Sequence, residues 1–342
     1  MSHQAAWIKK PNTDLVIEEF PIPTPGPGEL LIKVSVIGFS PLEAKIQKLG
    51  LIPIPYPNIL GMSFAGVVEQ VGPNVQDFKA GDRVATVRDG PKAADPRFGA
   101  YQQYALASQT STAKLSEEVA LESGASSILN LAAVATALSI HIGLDRPDLS
   151  GKPAASKGEK VLIYGGSSSA GGLAICYAAA AGYEVVTTSS PQHKDFVQSL
   201  GPATILDHTR SGSTLTQEIA AHGPYTAIFD TIGLAPVTEV LSNYLESING
   251  GVYYSVLAPD KPLPAGVEKR FAPYSLWMDR PEHSEFRTWF YSELVPKGLQ
   301  TRLIKPTRPQ WLEGGLDQAQ KALDLMFEDK VSGRKLLLDP SV

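Results

Sequence analysis

The chain has 342 residues, of which 43% are hydrophobic and 19% charged, with a formal net charge of −5 and a pI near 5.7. This length and apolar content suffice for two globular domains. The acidic balance and the absence of a basic cluster in the sequence argue against nucleic acid or an anionic membrane as the main partner.

Three sequence features indicate where the protein resides. Its single cysteine, Cys176, excludes an intramolecular disulfide and fits a reducing compartment. The N-terminal residues MSHQAAWIKK do not have the charged-then-apolar pattern of a secretion signal, so we expect a cytoplasmic protein. The longest apolar tract, residues 128–144, contains His141 and has the length of a buried helix rather than a membrane span.

The N-terminal part of the chain has strand-and-turn character. β-branched runs at residues 30–37, 65–71 and 83–87 are separated by turn signals such as Gly72-Pro73-Asn74. We predict a compact β-barrel over residues 1–125.

After about residue 123 the pattern alternates between helices and apolar strands. The predicted strands are residues 161–164, 184–188, 204–206, 227–230 and 251–256. Such alternation predicts a doubly wound parallel sheet, which we place in residues 126–289. The tail, residues 290–342, contains a predicted helix over 316–327 and a predicted strand over 335–338, and we expect it to rejoin the N-terminal half.

The segment 160–188 is typical of a strand, a glycine-rich turn, a helix and a second strand. Its turn matches G-x-G-x-x-G through Gly166, Ser168 and Gly171, with serine at the middle glycine. The first amides of the helix have no intrahelical acceptor and lie at the positive end of its dipole, so they can bind a dinucleotide pyrophosphate. The alternative is an ordinary Gly/Ser turn before a core helix.

The residues after the second strand bear on which cofactor is bound. NAD-preferring sites usually carry an acid there, whereas this chain has Ser189 and then Ser190, Pro191, Gln192, His193 and Lys194. Hydroxyl and cationic groups suit a ribose 2′-phosphate, so NADPH is favoured over NADH. A polar loop with a solvated lysine is the alternative.

The sequence does not predict a metal site. A catalytic zinc needs about three ligands and a structural zinc about four thiolates. The chain has one cysteine, and no close pair at ligand spacing occurs among its histidines, which are His3, His141, His193, His208, His222 and His283.

Several phrases resemble one family along essentially the whole chain, among them PIPTPGPGELLIKV, LGMSFAGVVEQVG, DPRFGAYQQYALA, YGGSSSAGG and VSGRKLLL. The chain resembles the medium-chain dehydrogenase/reductase superfamily in its zinc-free quinone oxidoreductase and enoyl reductase branch, and is most similar to fungal CipB-like oxidoreductases and trans-acting enoyl reductases. The resemblance implies an α/β protein with a GroES-like β-barrel catalytic domain, residues 1–125 completed by 290–342. It also implies a Rossmann NADPH-binding domain, residues 126–289.

The resemblance also implies particular cofactor contacts. Beside the nicotinamide and its ribose it places Leu42, Glu43, Ala44, Lys45, Thr136, Val256, Leu257, Val331 and Ser332. For the pyrophosphate it implies Ser167, Ser168, Ser169 and Ala170. For the adenosine 2′-phosphate and the adenine it implies Ser190, Pro191, Gln192, His193, Lys194 and His208.

This chain departs from its relatives at several site positions. Zinc-dependent relatives have a Gly-His-Glu triplet where it has Gly61-Met62-Ser63. Within the zinc-free branch, relatives have Asn where it has Ser40, Asp where it has Glu43 and Ser63, and Pro where we place Asn130. Together these departures suggest an altered active-site floor.

The leading functional hypothesis is NADPH-dependent reduction of an α,β-unsaturated carbonyl, an enoyl thioester or a quinone, with a small-molecule or acyl-thioester substrate. Lys45 is the first candidate proton donor and Tyr56 the second. Lys45 serving only the ribose, Tyr56 serving only packing, and solvent supplying the proton all stay open.

Two rival hypotheses remain. One is a protein that binds NADPH without catalysis. The other is a trans-acting reductase of carrier-bound polyketides with a polyketide synthase as partner, for which residues 258–280 are either a contact surface or an ordinary loop. We expect a monomer or a homodimer, with residues 250–256 as the candidate edge strand for pairing.

Overall fold

The computed structural model describes residues 1–152 and 154–342, which form two compact units. The first unit comprises Met1–Leu129, Asp279–Gln300 and Pro306–Val342, and the second comprises Asn130–Met278 and Thr301–Lys305. The sequence predicts boundaries after residues 125 and 289, whereas in the structure residues 126–129 and 279–289 lie in the first unit and residues 301–305 in the second.

The N-terminal segment is dominated by antiparallel strands whose β-branched residues bury one or both faces. The elements are β1 (Ser2–Ile8), β2 (Val16–Pro21), β3 (Glu29–Gly38), α1 (Pro41–Leu49), β4 (Asn58–Ile59), β5 (Ser63–Val71), β6 (Arg83–Val87), β7 (Tyr104–Ser108), β8 (Thr112–Lys114) and α2 (Leu121–Ala135). The three strands predicted from β-branched runs correspond to β3, β5 and β6.

The middle of the chain alternates strands and helices. The elements are β9 (Lys160–Tyr164), α3 (Ser169–Ala180), β10 (Glu184–Ser189), α4 (Lys194–Ser199), β11 (Thr204–Asp207), α5 (Gly212–His222), β12 (Ala227–Asp230), α6 (Ala235–Ser247), β13 (Gly251–Ser255), β14 (Val267–Phe271) and α7 (Tyr274–Trp277).

The tail contributes the last elements: α8 (Ser284–Trp289), α9 (Val295–Gln300), β15 (Pro309–Leu312), α10 (Ala319–Phe327) and β16 (Lys335–Leu338). β16 pairs antiparallel with β3 through Leu337 opposite Gly38 and Leu338 opposite Ile37. In the described chain the first unit has a seven-stranded sheet, ordered β15-β16-β3-β5-β6-β8 with β7 also on β3, and a three-stranded sheet, β2-β1-β4. Its core is built on completely buried side chains such as Ile32, Phe39 and Phe64.

Within residues 154–342, the second unit has a six-stranded parallel sheet. Its strand order is β11-β10-β9-β12-β13-β14. The strand order reverses at β9, and ligands of such sheets bind at the carboxyl ends of the strands beside that reversal. The α/β fold class, with a GroES-like unit and a Rossmann-like parallel sheet, is thereby confirmed.

Two expectations about this sheet were wrong. Residues 258–280 do not form one loop, because they include β14 and α7. β13 is therefore an inner strand, and β14 is the edge. The sequence of β14, Val-Glu-Lys-Arg-Phe, has three charged residues in a row, which is not typical of a strand. Lys269 at its centre is nevertheless only 5% exposed.

A long apolar helix is made by α2 and the π-helical segment Thr136–Ile142 that follows it. In the part of the chain that the structure describes, it is the one helix long and apolar enough to cross a membrane. Buried helices of globular domains can be equally long and apolar. In this helix, 67% of the most apolar stretch is buried.

Candidate functional site

The glycine turn of the second unit connects β9 to α3. Gly165 has a φ of +89°, a conformation that favours glycine, and a Cβ on it would lie 2.6 Å from Ile232. A Cβ on Gly171 would lie 2.1 Å from the Gly165 carbonyl oxygen, so the first turn of α3 packs directly on the glycine turn. The residues between them, 167–170, are half-buried. The turn therefore presents backbone rather than side chains to a ligand.

The first turn of α3 has the features of an anion site. Ser168 is the N-cap, and its hydroxyl accepts a hydrogen bond from the Gly171 amide at 2.9 Å. The amides of Ser169 and Ala170, which follow the cap, have no acceptor within the helix. The chain can therefore hold a pyrophosphate through backbone groups, which fits a dinucleotide.

Ser168 also connects this turn to the next loop of the sheet. Its Oγ lies 2.9 Å from Oγ1 of Thr231, which in turn donates to the Tyr164 carbonyl oxygen at 2.7 Å. The Ser168 hydroxyl thus makes its hydrogen bonds within the protein. The half-buried Ser167, Ser169 and Ala170 remain candidates for ligand contact.

The segment predicted to bind a 2′-phosphate follows β10. Ser190 is 9% exposed, residues 191–193 form a 3₁₀ turn, and Lys194 is exposed at the start of α4. His208, exposed after β11, donates its amide to the Ser189 carbonyl oxygen at 3.4 Å. The Thr188 hydroxyl at the end of β10 accepts from the Gly165 amide at 2.9 Å, so this segment lies next to the glycine turn.

The loop after β12 is held by a buried carboxylate that sequence reasoning missed. Asp230 is completely buried, and its Oδ1 accepts the amides of Ile232 and Gly233, both at 2.9 Å. Its Oδ2 accepts the Ser255 hydroxyl at 2.9 Å. Burial raises the pKa of Asp230 despite these donors. The available signal was an aspartate at the end of a buried strand before Thr-Ile-Gly, where a carboxylate commonly binds amides two and three residues ahead.

Lys269 of the edge strand completes this arrangement. Its ammonium donates to the Gly233 carbonyl oxygen and to Oγ1 of Thr238, both at 2.9 Å. Burial lowers the pKa of Lys269, and the charge of Asp230 opposes that effect. Val256 and Leu257 follow in the next connection, where the Val256 amide donates to the Asp230 carbonyl oxygen at 3.1 Å. The structure therefore brings this predicted nicotinamide segment against the loop after β12.

Thr136 lies in the π-helical segment and is completely buried. Its hydroxyl has no hydrogen-bond partner within residues 1–152 and 154–342. Its predicted contact with the nicotinamide ribose stays a prediction.

The first unit carries the remaining predicted residues. Ala44 is completely buried in the core and Glu43 is 1% exposed, so the structure gives these two side chains internal rather than ligand-facing positions. The other predicted residues are less buried: Leu42, Tyr56 and Val331 are half-buried against the core, Lys45 is half-buried on α1, and Ser332 is exposed.

Of the positions at which the chain departs from its relatives within the zinc-free branch, Ser40, Glu43 and Ser63 are buried. Ser63 is completely buried and donates to the Gly38 carbonyl oxygen at 3.2 Å, and Ser40 is 4% exposed. Asn130 is half-buried.

Across residues 1–152 and 154–342, no group of three or more His, Cys, Asp or Glu side chains could hold a metal ion.

A cavity of about 790 Å³ lies in the first unit, lined by polar and charged residues that include Lys114, Arg287 and Tyr291. It contains none of the predicted site residues among those that the structure describes. We assign it no part in the reaction.

The sequence and the fold have known counterparts. Residues 26–117 match the alcohol dehydrogenase GroES-like domain. The trans-enoyl reductase HimH of Aspergillus japonicus is 31% identical over 346 residues, covering 99% of this chain and 98% of the relative. An alcohol dehydrogenase superfamily protein from Novosphingobium aromaticivorans superimposes with a TM-score of 0.81 at 22% identity, covering 98% and 99% of the two chains.

A mycobacterial protein solved in complex with NADPH superimposes with a TM-score of 0.74 at 22% identity, covering 99% of this chain and all of that one. At this identity, the structural likeness shows a shared fold. Since the sequence match to HimH extends along nearly the whole of both chains, and a GroES-like unit accompanies a parallel sheet in Rossmann order, the protein belongs to the medium-chain dehydrogenase/reductase superfamily of oxidoreductases.

Proposed function

We propose that this protein is an NADPH-dependent reductase of activated carbon–carbon double bonds, in enones or enoyl thioesters, or of quinones, and that it acts in secondary metabolism. The observation that carries the proposal is the glycine turn before α3, whose Ser169 and Ala170 amides fit a pyrophosphate. The chemistry that NADPH supplies when bound is hydride donation to an electron-poor carbon.

The preference for NADPH rests on the segment after β10. Ser190 and Lys194 offer a hydroxyl and a cation to a 2′-phosphate, and no carboxylate stands there to bind a ribose 2′-hydroxyl. The exposed position of Lys194 at the start of α4 supports this role.

The donor set favours reduction without a metal. Met62 stands where zinc-dependent relatives carry the histidine of Gly-His-Glu, and a thioether with a single distant cysteine is a poor ligand set for zinc. Polarised alkenes need less electrophilic assistance than alcohols or simple ketones, which matches such a site. Lys45 and, as the alternative, Tyr56 would supply or stabilise the proton on the reduced substrate.

The test measures the consumption of NADPH from its absorbance, in the presence of a panel of enones, enoyl thioesters and quinones. We expect turnover with at least one class and faster turnover with NADPH than with NADH. Lys194→Ala should weaken NADPH binding about tenfold, the cost of one lost charge-assisted contact, and leave NADH binding unchanged. Lys152→Ala, an exposed lysine elsewhere in the second unit, is the matched control. NADPH binding without turnover on any substrate would instead support the non-catalytic alternative.

A second candidate is reduction of a substrate held on a polyketide synthase carrier domain. It is favoured because three relatives of this chain are described as trans-enoyl reductases, from Aspergillus japonicus, Aspergillus sclerotiorum and a Fusarium species. The same enoyl group should then be reduced much faster on an acyl carrier protein than as a free thioester. Equal rates on both would rule this candidate out.

A further inference from the structure

Glu43 connects two segments of the first unit through its carboxylate. It lies in the first turn of α1, and its Oε2 accepts the amide of Ser40, the residue before that helix. Its Oε1 accepts the amide of Met62 at 2.8 Å, just before β5. One side chain therefore holds together the start of α1 and the entry to β5.

The second of these segments is already constrained on its other side. The Met62 carbonyl oxygen accepts the Arg88 amide at 2.8 Å, and the Gly61 carbonyl oxygen accepts the Ala100 amide at 3.2 Å. Gly61 has a φ of +101°, and a Cβ on it would lie 2.7 Å from the Tyr101 ring. The Glu43 carboxylate provides the hydrogen-bond acceptor for the remaining backbone group of Met62.

A buried lysine stands on the strand beside this segment, because the Phe39 amide donates to the Leu336 carbonyl oxygen at 3.1 Å and so brings the start of β16 next to Ser40. Lys335, the first residue of β16, is 2% exposed. Burial raises the pKa of Glu43 while the Lys335 charge opposes the rise, and burial lowers the pKa of Lys335 to about 8 while Glu43 opposes the fall. Removing one member of such a pair leaves an uncompensated buried charge.

Tyr101 is the other titratable group that faces Glu43. It is completely buried, and its hydroxyl has no partner among the described residues. Burial raises the pKa of Tyr101 far above its usual value, and the charge of Glu43 adds to that rise. Tyr101 therefore stays neutral, and Lys335 is the group that compensates Glu43.

We infer that Glu43 is a positioning residue, with Lys335 as its charge partner, that sets the backbone of Ser40 and Met62 and through it the shape of the first unit's contribution to substrate binding. The hydrogen bonds and burial of Glu43 carry the structural part of this inference, and the pairing of Phe39 with Leu336 places Lys335 on the strand next to Ser40. Its catalytic consequence rests on the proposed reductase function, for which the segment from Ser40 to Lys45 is predicted to lie beside the nicotinamide.

The experiment compares Glu43→Gln with Glu69→Gln, which alters an exposed glutamate on β5 of the same unit. Glutamine keeps the size of the side chain but has one acceptor oxygen for two amides. We expect peptides containing Ser40 and Met62 to take up deuterium at least about tenfold faster in Glu43→Gln than in wild type, and at the wild-type rate in Glu69→Gln. On the best substrate, kcat should fall about tenfold while the dissociation constant for NADPH changes less than twofold.

A second variant examines the lysine and covers the case in which Glu43→Gln does not fold. Lys335→Met should raise deuterium uptake at the same two peptides, and Glu43→Gln combined with Lys335→Met should fold better than Glu43→Gln alone because no charge stays buried. Wild-type exchange at both peptides in every folded variant that lacks the Glu43 carboxylate would overturn the inference. If the wild-type protein does not oxidise NADPH with any substrate of the panel, the proposed function fails. The exchange result still decides the role of Glu43 in that case.

Discussion

Each unit buries one carboxylate that accepts backbone amides, but the two are built differently. Asp230 binds amides two and three residues ahead of it, and its third donor, Ser255, lies on the adjacent parallel strand. Glu43 binds one local amide and one at Met62, and its charge partner Lys335 is near the end of the chain. The second unit thus assembles its site from loops that are organised locally, whereas the first depends on segments far apart in sequence.

The largest effect should come from breaking the local order of the second unit at its glycine turn. In Gly171→Val, the new Cβ would overlap the Gly165 carbonyl, so the turn and the α3 amides must move. We expect NADPH affinity to fall by about a hundredfold or more, which isothermal titration would measure. Gly212→Ala is the control, because a Cβ there meets only Val240, at 3.7 Å. Unchanged affinity in Gly171→Val would mean that the turn does not form the phosphate site.

A second effect, on stability rather than on binding, is expected at Asp230. Asp230→Ala leaves the amides of Ile232 and Gly233 without their acceptor and Lys269 without its counter-charge, so the free energy of unfolding should drop by about 3 kcal/mol. Asp230→Asn keeps an acceptor oxygen and should lose about 1 kcal/mol. Urea unfolding at pH 7 measures both. Equal losses in the two variants would show that the charge, rather than the local hydrogen bonds, organises this loop.

The smallest expected effect tests a long-range contact of the first unit, between His3 and Gln102, through the pH dependence of stability. His3 on β1 lies 3.2 Å from Oε1 of Gln102, and burial holds the pKa of His3 below its usual 6.5. At His3 the unfolded chain therefore binds a proton more readily than the folded chain does, so stability falls as pH falls through 6.5.

Stability should fall between pH 7.5 and 5.5, and His3→Gln should remove this fall. Urea unfolding at the two pH values, on protein without cofactor, provides the measurement. His208→Gln, at an exposed histidine, should keep the wild-type pH dependence. A wild-type pH dependence in His3→Gln would assign the effect to another group.

The local organisation of the second unit explains why it could be read from sequence. The apolar run at 161–164, the glycines after it and the return to a β-branched strand follow one another directly, and the structure has β9, the turn, α3 and β10 in that order. The strand at 227–230 was predicted with the bounds that the structure has, and so were two strands of the first unit, 83–87 and 335–338.

The remaining features depend on contacts that no local pattern reveals. β14 was missed because its charged residues mask a strand whose one buried charge, on Lys269, finds partners in Gly233 and Thr238. The resemblance predicts a cofactor contact for Glu43, which stays a prediction, and no local pattern reveals the hydrogen bond that its carboxylate accepts from Met62. The contacts predicted for Lys45, Tyr56 and the 2′-phosphate segment stay predictions.

The pairing of β16 with β3 has a consequence for how the protein is made. On the ribosome the strands of the N-terminal half emerge first, but the partner of Ile37 and Gly38 is translated much later, together with Lys335. Until then the Ile37–Gly38 end of β3 lacks its β16 partner, and Lys335 is absent from the surroundings of Glu43. Premature termination just upstream of residue 335 should therefore release a nascent product whose parallel-sheet unit can mature while its N-terminal half cannot, a species for chaperones and proteases to handle.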